Sequence, residues 1–163
     1  ISINANNGTD TSSATVNVYV PAATQNLPRP AGLKNGVNEN PDGSLTFLLA
    51  APLKNDVILV SDFSNWNLQT NYQMNKDGAY FWLTVPATEF SVNQTFQYQY
   101  LVDYTLKIAD PYSELILDPG SDQFIKPGNY PNLPTYSDGQ TNGELSLHTY
   151  QETPYAWTSN NFQ

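Results

Sequence analysis

The sequence predicts an all-β sandwich, and three observations predict it. The residues are 13% aromatic, with 11 tyrosines, and only 13% charged, a balance that suits pleated sheets with large half-buried side chains. Short apolar runs recur at close intervals with turn residues between them. No window of a dozen residues keeps apolar positions at helical spacing without a proline or a β-branched run interrupting it. At 163 residues the chain can bury one good core, or one and a fragment, but hardly two.

The elements follow in chain order. In residues 1–21, Ile1-Ser2-Ile3 leads into the turn signal Asn6-Asn7-Gly8, and Ala14 to Val20 alternates apolar and polar with the period of a half-buried strand. This stretch reads as the end of a preceding β module or as an added strand. The mid-phrase opening without an initiator methionine reads as a piece of a longer protein. Pro21, Pro28 and Pro30 then mark residues 22–39 as a linker or an edge-hugging segment, since proline offers no backbone donor.

From Asn40-Pro41-Asp42-Gly43 the sandwich proper is expected over residues 40–126. Its candidate strands are Leu45 to Leu49, Val57 to Val60, Tyr80 to Val85, Thr95 to Val102, Leu106 to Ile108 and a short Gln123 to Ile125. Turn chemistry separates them at 52–56, 75–78, 86–93 and Asp118-Pro119-Gly120. Residues 127–163, rich in Pro, Gly, Asn, Ser and Thr with a weak strand at Glu144 to His148, read as an extended tail lying on another surface.

Charge and composition exclude several functions. Fifteen acidic residues against six basic ones give a net charge of −9, which repels a phosphate backbone or an anionic membrane surface, so nucleic acid is excluded as a partner. The absence of cysteine removes disulfides, thiol catalysis and thiolate metal sites. No apolar run approaches the length of a membrane span. A neutral ligand meets no such barrier, and a surface rich in Tyr, Asn and Gln suits hydrogen bonding and stacking on sugars.

Three motifs stand in order. Val57-Ile58-Leu59-Val60 ends in the polar turn Ser61-Asp62-Phe63-Ser64-Asn65-Trp66; Phe96-Gln97-Tyr98-Gln99-Tyr100-Leu101-Val102-Asp103 sets two tyrosines on one face and two glutamines on the other; Ile108-Ala109-Asp110-Pro111-Tyr112 follows. With Asp77-Gly78 and the strand Tyr80 to Val85 between the first two, this set resembles the family 48 carbohydrate-binding modules, which precede the catalytic barrel in many enzymes of glycoside hydrolase family 13. The resemblance spans about 40–126 and implies an immunoglobulin-like (early-set) sandwich of seven or eight strands. The flanking phrases Arg29-Pro30-Ala31-Gly32, Tyr130-Pro131-Asn132-Leu133-Pro134 and Ala156-Trp157 to Phe162-Gln163 resemble those around this module in secreted bacterial α-amylases.

By that resemblance Trp66 is the ring that stacks on glucose, with Asn65 beside it for a hydroxyl. An indole lying flat on a pyranose face combines area burial with CH–π attraction. Two positions depart from the family pattern. Gln99 stands where binding members carry lysine, and Tyr104-Thr105-Leu106 stands where a second stacking tryptophan is usual, leaving Tyr104 as a substitute ring. The alternative for Trp66 is a cap on the sandwich or a contact with a catalytic domain. Trp82 reads as a cover for the second sheet or a domain contact, and Trp157 as an anchor onto a barrel.

A glycosidase needs two carboxylates about 5 Å or about 6.5–9.5 Å apart, and Asp62, Asp77, Asp103, Asp110 and Glu114 are the candidates; most fall in turn signals, where capping is the rule. Asp118 and Asp122 read as turn caps and not as a calcium loop, and His148, without a partner in the sequence, as a surface histidine. The expectation is therefore a non-catalytic accessory module, without cofactor or metal, of a bacterial α-amylase-type enzyme at an extracellular, periplasmic or cell-surface location. Its partners would be α-1,4-glucan (starch or glycogen) and the catalytic domain of the same polypeptide, with the protein a monomer. A purely structural domain is the alternative, and an adhesion module the remaining one.

Overall fold

The fold is seen in a computed structural model, which describes residues 2–15 and 19–153. The described chain is all-β, with eleven strands, every pairing between them antiparallel, and four single 3-10 turns. The first two strands, β1 (Ser2–Asn6) and β2 (Thr11–Thr15), form a separate hairpin sheet. Asn7 Oδ1 accepts the amides of Thr9 and Asp10 at 3.0 and 2.7 Å, and Gly8 takes φ +93°, as the Asn-Gly signal requires. Val16, Asn17 and Val18, the middle of the alternating run, lie outside the described residues, as does Trp157 with the closing phrase.

Nine strands build two facing sheets. One has the order β3 (Gly36–Glu39), β4 (Leu45–Ala50), β7 (Tyr80–Val85), β6 (Asn75–Asp77). The other has the order β10 (Leu115–Leu117), β11 (Leu145–Thr149), β8 (Thr95–Val102), β5 (Val57–Ser61), with β9 (Leu106–Ile108) paired to the second half of β8. Alternation decides which side chains meet. Leu45, Phe47 and Leu49 of β4 and Phe81, Leu83 and Val85 of β7 share one core with Phe96, Tyr98 and Tyr100 of β8 and the whole of Val57 to Val60. Phe63 makes edge-on contacts with Tyr72, Phe90 and Phe96 at centroid distances of 5.3–5.6 Å, the geometry a ring quadrupole favours.

The four long strands and the short Leu106–Ile108 stand where the sequence predicts them, and the structure differs at other points. Residues 22–39 hug the first sheet: Leu27 N donates to Lys76 O at 3.0 Å and Lys76 N to Gln25 O at 2.8 Å. Trp82, on the outer face of β7, donates its indole N–H to Leu27 O at 3.0 Å, and Arg29 pairs with Asp77 at 2.9 Å while lying 4.0 Å over the Tyr80 ring. Residues 36–39 of the same stretch form β3 on the sheet edge. The strand expected at Gln123 to Ile125 is instead a 3-10 turn, Asp122–Phe124. Asp118 captures Gly120 N and Ser121 Oγ at 2.8 and 2.7 Å, and its own amide donates to Asp122, so the chain curls before it can extend.

Within the expected tail, Leu145–Thr149 is β11, seated between β10 and β8. The irregular residues before it lie on the outer face of the same sheet. Gln97 Nε2 donates to Thr135 O at 2.7 Å and its Oε1 accepts Ser137 Oγ at 3.0 Å, while Leu133 and Tyr136 cover a small cluster of Leu117, Leu145 and Leu147. Residues 133–149 of that stretch thus lie on this sandwich.

Candidate functional site

The end of β5 shapes the turn that carries Trp66. Ser64 Oγ donates to Ser61 O at 2.8 Å and accepts Ser61 N at 3.3 Å, closing the 3-10 turn Asp62–Ser64 on itself. The carboxylate of Asp62 accepts Gln97 N at 2.9 Å and ties the turn to β8; burial pushes its pKa up. Two left-handed residues follow, Asn65 at φ +50° and Trp66 at φ +58°. Asparagine tolerates this region, whereas tryptophan enters it at a cost on the order of 1 kcal/mol. The backbone holds both: Asn65 N donates to Asp62 O and Trp66 N to Ser61 O, each at 2.8 Å.

The turn leaves Asn65 exposed and Trp66 half-buried. The indole packs on the main core and also on the Leu117–Leu145–Leu147 cluster, so one part of the ring is backed by apolar side chains while another meets solvent.

Of the other two residues expected at the site, one is taken up by the fold and one lies elsewhere. Gln99 is fully buried, Nε2 donating to Asn142 O and Glu144 O at 2.8 Å each and Oε1 accepting Thr141 Oγ1 at 2.6 Å. Its amide fastens the tail. Tyr104 stands at the opposite end of the strand pair, because Ser61 pairs with Tyr98 and Val57 with Val102. There its ring lies 6.4 Å from that of Tyr19 and its hydroxyl meets Gln73 Nε2 at 3.4 Å. The structure therefore joins Asn65 to Trp66 and removes Tyr104 to the far end of the strand pair, while Gln99 shares the sheet face of the cluster under Trp66 but has its amide taken up by the tail.

The candidate carboxylates are bonded into the fold. Asp110, 1% exposed, accepts the hydroxyls of Tyr98 and Tyr100 at 3.0 Å each and the amide of Tyr112 at 2.9 Å, while its own N–H donates to Ser146 Oγ at 2.6 Å. Burial raises its pKa, and burial with the nearby carboxylate raises both tyrosines. Asp103 accepts Asn55 N at 2.9 Å and Asp56 N at 3.1 Å, with Lys54 at 3.5 Å; those amides and then that charge hold it below the usual carboxylate range.

The fifth, Glu114, lines a cleft of about 450 Å³ together with Tyr112, Tyr130 and His148. His148 is half-buried, its ring 5.5 Å from Phe96 and its Nε2 3.1 Å from Glu39 Oε1. No local pattern announces this cleft, because its walls come from segments about a hundred residues apart; only the exposed tyrosines in proline-rich stretches hint at it.

No family model and no curated protein matches the chain. Among solved structures it is similar to a pullulanase from Anoxybacillus sp. LM18-11, with 23% identity over 56% of this chain and 13% of that one at a TM-score of 0.41. It is similar also to the GBS pullulanase SAP in complex with maltotetraose (20% identity, 55% of this chain, 13% of that one, TM-score 0.41) and to PulA from Klebsiella pneumoniae (20%, 53%, 9%, 0.39). The chain thus spans 9–13% of the length of these enzymes.

Proposed function

We propose that this chain is a non-catalytic accessory module of a bacterial α-amylase-type glycoside hydrolase acting outside the cytoplasm. It binds α-1,4-glucan on the Asn65–Trp66 turn and packs on the catalytic domain of the same polypeptide. The observation that carries this reading is the half-exposed indole of Trp66, set on a backbone-locked left-handed turn and backed by two apolar clusters. The ordered motifs around it, which resemble the family 48 modules, name the sugar. A tethered binding surface raises the local concentration of substrate without any chemistry of its own. The bonding of Asp62, Asp77, Asp103 and Asp110 into caps, latches and the buried tyrosine cluster supports a role without catalysis.

A second reading, a purely structural domain, draws on the engagement of Gln99 by the tail and on the distant position of Tyr104, which leave a single ring for sugar. Tryptophan fluorescence during titration with maltoheptaose and β-cyclodextrin separates the two. Saturable quenching that vanishes in a folded Trp66→Ala variant supports glucan binding, and no response at millimolar sugar leaves the structural reading.

A further inference from the structure

The cleft described above opens at the lateral edge of the sandwich, where β3 of one sheet faces β11 of the other. Its volume of about 450 Å³ lies within the roughly 300–1,000 Å³ usual for small-molecule sites. Two tyrosines at its mouth are unusually open, Tyr112 at 55% and Tyr130 at 40% exposure. The first is firmly placed: Gly36, at φ +95°, lets the backbone come so close that a Cβ there would sit 3.0 Å from Tyr112 Cβ. An acceptor is placed as firmly, since Glu39 Oε1 takes both Gln151 N at 2.9 Å and His148 Nε2 at 3.1 Å, which fixes the carboxylate.

The chemistry of the walls selects a ligand class. Glu39, Glu114, Glu152 and Asn132 supply acceptors, and no lysine or arginine is among the described lining residues, so an anion is disfavoured. The carboxylates do not converge, for among the described residues no three His, Asp or Glu side chains come together as a metal site; a compact cation would need them to. Acceptors spread along a groove that two exposed tyrosine rings also line suit a chain of hydroxyl donors with apolar ring faces, which is an oligosaccharide. Leu115 and Leu147 belong both to the cleft wall and to the cluster on which Trp66 packs, so the two surfaces adjoin.

We propose that this cleft is a second saccharide-contact site, which takes a short α-1,4-glucan segment between Tyr112 and Tyr130 with Glu39 and Glu114 accepting its hydroxyls. The identity of the sugar rests on the function proposed above; the shape and chemistry of the cleft do not.

Amide chemical shifts of the whole chain, followed by 1H–15N NMR during titration with maltoheptaose, test it. The expected result is saturable movement at Tyr112, Glu114, Tyr130 and Asn132 that weakens on the order of tenfold in Tyr112→Ala/Tyr130→Ala and returns with Tyr112→Phe/Tyr130→Phe, while shifts at Asn65 to Asn67 persist. Movement confined to Asn65–Asn67 overturns the cleft and leaves the Trp66 surface standing. Movement at the cleft alone supports the cleft and overturns the Trp66 surface, and silence at both overturns both. A cleft that answers to spermidine in low salt and not to maltoheptaose also overturns the proposal, in favour of a cationic ligand.

Discussion

The β5–β8 strand pair ends in two left-handed turns, and they are built alike but finished differently. At one end Asn65 and Trp66 take φ +50° and +58°; at the other Asp103 and Tyr104 take φ +47° and +57°. The Asp103–Tyr104 turn is latched through its side chains, the carboxylate gripping the Asn55 and Asp56 amides and Lys54, the tyrosine resting on Tyr19. Both turns close through backbone bonds, but in the Asn65–Trp66 turn the two left-handed residues themselves are held by backbone alone, with Asn65 exposed and Trp66 only half covered. The same local strain thus occurs in two settings: one turn is latched onto a neighbouring loop although its tyrosine is 37% exposed, and the other presents an exposed asparagine beside an indole backed by two apolar clusters.

The strongest way to break both ends together is at Asp110, which clamps β8 between them through Tyr98 and Tyr100. Asp110→Ala leaves two buried hydroxyls and the Tyr112 amide without their acceptor, and is expected to destabilise by about 3 kcal/mol or more in urea unfolding. Asp110→Asn keeps an acceptor and should lose much less. The pH dependence gives the sign: burial raises the native pKa of Asp110, so its contribution is full below about pH 4, the unfolded value, and is lost as pH rises through the native one. Asp110→Asn should therefore gain on the parent protein as pH rises from 4 to 7; a parallel pair of profiles would contradict the buried carboxylate.

Trp66→Ala attacks the presenting end alone. The half-buried indole touches two clusters, and its loss is expected to cost about 2 kcal/mol, below the roughly 3–5 kcal/mol of a fully buried tryptophan. The latched end should respond to acid instead. Backbone amides and Lys54 lower the native pKa of Asp103, so its contribution is present above about pH 4 and fades as pH falls through the native value. Asp103→Asn should lower Tm at pH 7 and have little effect at pH 2, and a drop of equal size at both would show that the latch does not depend on charge.

How much of this was legible depends on how local the signal is. Strands β4, β5, β7 and β8 carry enough apolar residues in a row to declare themselves, and the turn after Val57–Ser61 reads from its own polar run ending in Trp66. Strands β3 and β6, of four and three residues, are too short to show a period and read as linker and turn, and the three residues of β10 carry no signal that sets them apart. The burial of Gln99 was not legible either. Its partner Thr141 lies 42 residues downstream, and nothing in the run Phe96 to Asp103 distinguishes a glutamine that faces solvent from one that fastens a returning tail.

The finest test of the comparison is Asn65→Gly. Glycine accepts the left-handed region without steric cost but loses more freedom on folding, and Asn65 is already a tolerant residue there, so stability should change by no more than about 0.5 kcal/mol. If the turn exists to present side chains, removing the amide should still weaken maltoheptaose binding about fivefold, the worth of one hydrogen bond of about 1 kcal/mol. The same substitution thus separates folding from recognition at one residue. Unchanged affinity would mean that Trp66 alone carries the surface and that asparagine is there for its backbone.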